Sequence, residues 1–166
     1  KKEIGLDRII KMASNENPLG PSPKALEAVQ NTLSENFRYP DASAVLLREK
    51  LANRFNLKIE NVTVGAGSEG VMSAIMRTFL RAGDEIIAAD NSFIGFRVLA
   101  NSSAVKTHWI PLINYRHDLS AMAKKINNNT KIIYLANPDN PTGTYINIEE
   151  FYNFMKKVPQ KVLVIL

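Results

Sequence analysis

The 166 residues suffice for one domain with a core of its own, and a composition 45% hydrophobic and 22% charged is that of a soluble globular protein. The absence of cysteine excludes a disulfide framework and cysteine-based metal sites, and no 18-residue apolar run is present to cross a membrane as a helix. The net charge of +5 is scattered in pairs such as Lys124-Lys125 and Lys156-Lys157, not clustered among aromatics, which argues against nucleic acid as a partner.

In chain order, the first stretch to about Leu19 has no sustained periodicity and reads as an extended arm. Ser22 as N-cap and Pro23 at the first helical position then open a helix to about Ser34, with Leu26, Val29 and Leu33 on one face. Arg38-Tyr39-Pro40-Asp41 breaks the pattern, and a second amphipathic helix carries Val45, Leu46, Leu51 and Phe55. From there strands and helices alternate. Strands are expected at Asn61 to Val64, Glu85 to Ala89, Val105 to Ile110, Ile132 to Ala136 and Val162 to Leu166. Helices are expected at Ser68 to Leu80, Phe93 to Ala100, Leu119 to Ile126 and Ile148 to about Lys157. Repeated βα units predict an α/β fold, a mainly parallel sheet covered by helices on both faces in three αβα layers. Chains usually end in exposed polar residues, whereas Val162 to Leu166 reads as a core strand, so the sequence is expected to be part of a longer protein.

Two stretches could carry chemistry. Asn137-Pro138-Asp139-Asn140-Pro141-Thr142-Gly143 follows a β-rich apolar run, and two Asn-Pro steps with a Gly force a sharp stop there. That places an Asn at the carboxyl end of a strand, where open α/β sheets bind ligands, although Asn, Pro and Gly also make plain turns. Gly65-Ala66-Gly67-Ser68-Glu69-Gly70 opens a helix, and free amides at a helix N-terminus suit a phosphate. Gly65, Gly67 and Gly70 also meet the G-x-G-x-x-G spacing of a Rossmann nucleotide-binding module, with Asp90 closing the next strand as the ribose ligand. His108 and His117 lack metal-ligand spacing and read as structural. No Ser-His-Asp arrangement or carboxylate pair is supported by the spacing.

NPDNPTG resembles the NPxNPTG signature of the fold-type-I, pyridoxal-phosphate-dependent aminotransferases. The loop at Gly65 and the opening Ser14-Asn15-Glu16-Asn17-Pro18-Leu19-Gly20 are similar to those of the histidinol-phosphate aminotransferases among them, and the resemblance covers essentially the whole chain. It implies residues 1–22 as an N-terminal arm and 23–166 as part of the large, cofactor-binding domain. It implies Asn140 on the phenolic oxygen of pyridoxal 5'-phosphate, Phe93 stacked on the pyridine ring, and Gly67, Ser68 and Glu69 on the phosphate, largely through backbone amides. Family members often have Asp-Glu where this chain has Glu69-Gly70. Tyr39 would reach the cofactor phosphate of the other subunit, which implies a homodimer with shared active sites, and Asn17 would lie near the substrate entrance.

The implied reaction moves an amino group between glutamate/2-oxoglutarate and histidinol phosphate/imidazole-acetol phosphate, in histidine biosynthesis and at a cytoplasmic address. No catalytic residue is assigned within the chain. The aspartate paired with the pyridinium nitrogen, the Schiff-base lysine and the substrate-binding arginine are all expected beyond Leu166, so these 166 residues alone are expected to be inactive. A threonine-phosphate decarboxylase or an aromatic aminotransferase is the nearest alternative. A Rossmann module or a non-catalytic dimerisation remnant is the alternative of another class.

Overall fold

Four parallel strands in the order β2-β1-β3-β4 form the sheet of the computed structural model, which describes Gly5 and residues 10–166. The chain divides into two compact units, residues 1–45 and 46–166. In the first, α1 (Pro23–Thr32) starts as its sequence requires. Ser22 Oγ accepts from the Ala25 amide at 3.1 Å, and Pro23 takes the first turn, where no amide proton is needed. A 3₁₀ turn (Leu33–Glu35) follows, and Leu26, Val29 and Leu33 are exposed. The arm expected before α1 falls in part on residues 1–4 and 6–9, which lie outside the described residues.

Helix α2 (Val45–Phe55) begins at the boundary between the units, and the remaining elements belong to the second. These are α3 (Gly67–Phe79), β1 (Glu85–Ala89), α4 (Ile94–Ser102), β2 (Lys106–Ile110), α5 (Leu119–Lys125), β3 (Thr130–Tyr134), α6 (Ile148–Met155) and β4 (Leu163–Ile165). Every neighbouring pair of strands is parallel, so each return passes over a face of the sheet through a helix.

Side chains alternate between faces along a strand, and both faces are covered. Ile86, Ala88, Ile132 and Tyr134 pack with Met72 and Met76 of α3 and Phe96 and Ala100 of α4. Ile87 and Ile133 point the other way, to Met122 of α5 and Phe154 of α6. The result is the expected three-layer αβα arrangement. Ile86, Ile87, Ile132 and Ile133 are fully buried, each worth about 1.5–3 kcal/mol of burial. This double coverage explains why β1 and β3 read as unbroken apolar runs.

One expected element is absent. Asn61 to Val64 does not form a strand: Asn61 ends a 3₁₀ turn (Ile59–Asn61), and residues 62–65 continue without regular structure. Val62 has extended dihedrals, φ −114° and ψ 122°, but extended backbone becomes a strand only with a ladder partner, and none of the four strands pairs with it. Its carbonyl is held instead by Arg48 Nε at 2.8 Å, and Arg48 Nη2 reaches the Ile59 carbonyl at 2.9 Å.

Candidate functional site

A cleft of about 500 Å³ opens at the carboxyl ends of β3 and β4, and Ser68, Phe93 and Asn140 all line it. Its size is that of a small-molecule site, and its floor is apolar, built from Val71, Met72 and Ile75 of α3 with Tyr134 of β3. Tyr134 is stacked on Phe96, ring centroids 3.9 Å apart and nearly coplanar. Burial, and secondarily the charge of Asp139, push the Tyr134 hydroxyl up to about 12, so it stays protonated.

The N-terminus of α3 forms one wall. Gly67 has φ +68°, the left-handed region where a side chain is strained, and this conformation turns the chain into the helix. No side chain caps the first turn, so the amides of Gly67, Ser68 and Glu69 lack the acceptors that a capped helix would give them. The Glu69 carboxylate lies against Gly95 at the start of α4, where an added Cβ would sit 2.5 Å from Glu69 Oε1 and 2.6 Å from the Phe93 ring. What Glu69 can offer a ligand is therefore its amide. Phe93 is the N-cap residue of α4, half-buried, with its ring over the bare Gly95 backbone.

The connection after β3 forms the opposite wall. Both the Asn137-Pro138 and Asn140-Pro141 peptides are cis. Asn137 Oδ1 accepts from the Ile146 amide at 2.8 Å and Nδ2 donates to the Ile146 carbonyl at 3.2 Å, which occupies this side chain in closing the loop. Asn140 is exposed, and its side chain has no hydrogen-bond partner among the described residues. Of the two asparagines, Asn140 is the one whose side chain is wholly unengaged among the described residues.

The sequence leaves several residues of this region unremarked. Asp139, between the two asparagines, is buried and accepts hydrogen bonds from Ser92 and Thr142, with His117 Nε2 3.3 Å away. His117 Nε2 also lies 3.1 Å from the Ala136 carbonyl, and the only hint of the others is that Asp139 stands inside the motif.

Two expected residues lie in the first unit. Tyr39 is fully exposed. Asn17 serves its own turn, Oδ1 accepting from the Leu19 amide at 3.1 Å and Nδ2 donating to the Gly20 carbonyl at 3.0 Å. Asp90 is not presented as a ribose ligand: it is ion-paired with Arg97, whose guanidinium lies 4.1 Å from the centre of the Trp109 ring. A second cleft, of about 570 Å³, lies at the carboxyl ends of α3 and α4 and is lined by Met76, Arg77, Arg81 and Ser102. No cluster of metal-ligating side chains occurs among the described residues, and none of their helices is long and apolar enough to cross a membrane.

Residues 7–166 match the family model described as aminotransferase class I and II. The chain belongs to that family. Among curated relatives of this aminotransferase chain, the histidinol-phosphate aminotransferase of Stutzerimonas stutzeri is 41% identical over 167 aligned positions, covering 99% of this chain and 45% of the relative. That of Moorella thermoacetica is 40% identical over 166, covering 100% of this chain and 43% of the relative. The chain thus spans less than half the length of these relatives. Among solved structures, histidinol-phosphate aminotransferase from Sinorhizobium meliloti in complex with pyridoxal-5'-phosphate superposes with a TM-score of 0.85 at 25% identity, over 91% of this chain and 41% of that one. The parallel sheet with helices on both faces is that of the large domain of fold-type-I aminotransferases.

Proposed function

We propose that the full-length protein is a pyridoxal 5'-phosphate-dependent aminotransferase. It would move an amino group between glutamate/2-oxoglutarate and histidinol phosphate/imidazole-acetol phosphate, a step of histidine biosynthesis. The observation that carries this reading is the convergence of Ser68, Phe93 and Asn140 on one cleft. The curated relatives' names support the choice of substrate.

The residues fit the cofactor. A phosphate needs donors, and the first turn of α3 has uncapped amides at Gly67, Ser68 and Glu69. A planar ring needs an aromatic or apolar face, and Phe93 with the α3 side chains supplies one. A phenolic oxygen needs a donor, and the Asn140 amide is free. Bound there, pyridoxal phosphate supplies an electron sink for the carbanion chemistry of amino transfer. Phe93 would hold the plane of the ring, Asn140 would donate to its phenolic oxygen, and Val71, Met72 and Ile75 would exclude water from one side.

The protein is further read as a cytoplasmic homodimer with shared sites. The exposure of Tyr39 leaves its hydroxyl available for the cofactor phosphate of a second subunit, and Asn17 belongs to the arm near the substrate entrance. The reading is tested by supplying the full-length protein with pyridoxal phosphate, histidinol phosphate and 2-oxoglutarate and measuring glutamate. Glutamate formed only from aromatic amino acids would shift the assignment to an aromatic aminotransferase, and decarboxylation of threonine phosphate to the decarboxylase. Absence of all these activities would refute the reading.

A further inference from the structure

Three successive connections at the carboxyl end of the sheet meet on one buried carboxylate. Asp139 is 3% exposed. Its Oδ1 accepts from the Ser92 hydroxyl, in the connection from β1 to α4 next to Phe93. Its Oδ2 accepts from Thr142 Oγ1 at 2.8 Å, two residues after Asn140. His117, which ends the connection from β2 to α5, brings Nε2 to 3.3 Å from Oδ1 and 3.1 Å from the Ala136 carbonyl. Both of these neighbours only accept, so Nε2 carries a proton, while Nδ1 is buried with no partner.

A buried carboxylate is tolerated only while donors surround it. Here the hydroxyl donors come from the loops of Ser92 and Thr142, so neither can move away without leaving charge unsatisfied, and His117 Nε2 of a third loop stands 3.3 Å off. The backbone adds to the closure, since the Asp139 amide donates to the Thr144 carbonyl and the Gly143 amide to the Asp139 carbonyl, both at 2.8 Å. Ser92 is the bond that crosses between the two cleft walls. We propose that Asp139 is a positioning residue that couples the loop of Phe93 to the loop of Asn140 and so fixes the spacing of the two walls.

The consequence for cofactor binding rests on the proposed function, whereas the coupling does not, and the experiment separates them. Amide hydrogen exchange is measured on the full-length protein without added ligand, for wild type, Asp139→Asn and Ser92→Ala. Asn removes the charge and replaces one acceptor with a donor, so a hydroxyl that donates to Asp139 must turn round to accept or lose its contact. The expected result is faster exchange in both 91–95 and 140–144 for Asp139→Asn, by about tenfold, with the interior of β1 and β3 unchanged. Ser92→Ala, which alters only the other wall, should also speed exchange in 140–144. Acceleration confined to 140–144 in Asp139→Asn, or none there in Ser92→Ala, overturns the coupling. If Asp139→Asn does not fold, the Ser92→Ala result decides.

In a second arm, pyridoxal phosphate is titrated into the same proteins. Its dissociation constant should rise about tenfold in Asp139→Asn, and the visible circular dichroism of the bound chromophore at saturation should change. Unchanged affinity and dichroism in variants that show the coupled exchange would limit Asp139 to a structural role and overturn its positioning of the cofactor. A wild-type protein that binds no pyridoxal phosphate sinks the proposed function, while the exchange arm still decides the coupling.

Discussion

Asn137 is bonded twice to the backbone of Ile146, and this pair determines what Asn140 can do. The loop between β3 and α6 closes on its first asparagine, which leaves the second with an unengaged amide at the cleft. Asn137→Ala should therefore destabilise the protein by about 1–3 kcal/mol, because the Ile146 amide and carbonyl lose their partner. Asn140→Ala should change stability by less than about 0.5 kcal/mol. Urea unfolding midpoints of the two variants check the contrast, and similar losses for both would contradict it.

Gly95 has no room for a side chain unless its neighbours shift. An added Cβ would stand 2.6 Å and 2.7 Å from two Phe93 ring atoms, and a ring cannot yield as the end of a flexible chain can. Gly95→Ala should cost about 1–3 kcal/mol and displace Phe93 from the cleft wall. Denaturant titration reports the first effect, and a crystal structure of the variant reports the second. A Phe93 ring left in place at unchanged stability would refute both.

At the opposite end of the sheet, Glu85 of β1 links β2 to the connection between α5 and β3. Asn127 Nδ2 and His108 Nε2 each lie 2.7 Å from its Oε2, and Lys106 Nζ lies 3.6 Å from Oε1. The Asn127 hydrogen bond first, and the His108 hydrogen bond next, lower its carboxyl from the ordinary 4.5 to about 2. The folded state thus binds this proton less readily than the unfolded chain. The resulting stabilisation is fully present above about pH 4.5 and is lost as the pH falls toward about 2. Glu85→Gln should flatten that part of the stability curve, so the difference in unfolding midpoint between wild type and variant should narrow from pH 5 to pH 2. A constant difference across that range would show that Glu85 titrates normally.

The elements whose cause is local were legible in the sequence. Ser22 and Pro23 start α1, and the apolar runs of β1 and β3 announce strands covered on both faces. Val62 to Val64 misled because its residue types favour extended backbone, while strand formation depends on a partner that the residues themselves do not name. Ser68, Phe93 and Asn140 were each identifiable from motifs, and the fold brings them to one cleft. Asp139 was not identifiable. Its role comes from Ser92 and His117, 47 and 22 positions away, and a contact over such distances leaves no periodic trace. Gly95 was hidden similarly, since its need for a bare backbone comes from the Glu69 and Phe93 side chains folded over it.

The most direct measurement of the central claim is a titration of pyridoxal 5'-phosphate into the full-length protein, wild type against Asn140→Ala, followed by the absorbance of the bound chromophore. Saturable binding to wild type, weakened about tenfold or more in Asn140→Ala, is the expected result, since a hydrogen bond to a charged oxygen is worth about 1.5–3 kcal/mol. Equal affinity in the two proteins, or saturable binding of NAD with no response to pyridoxal phosphate, would contradict the assignment of this cleft.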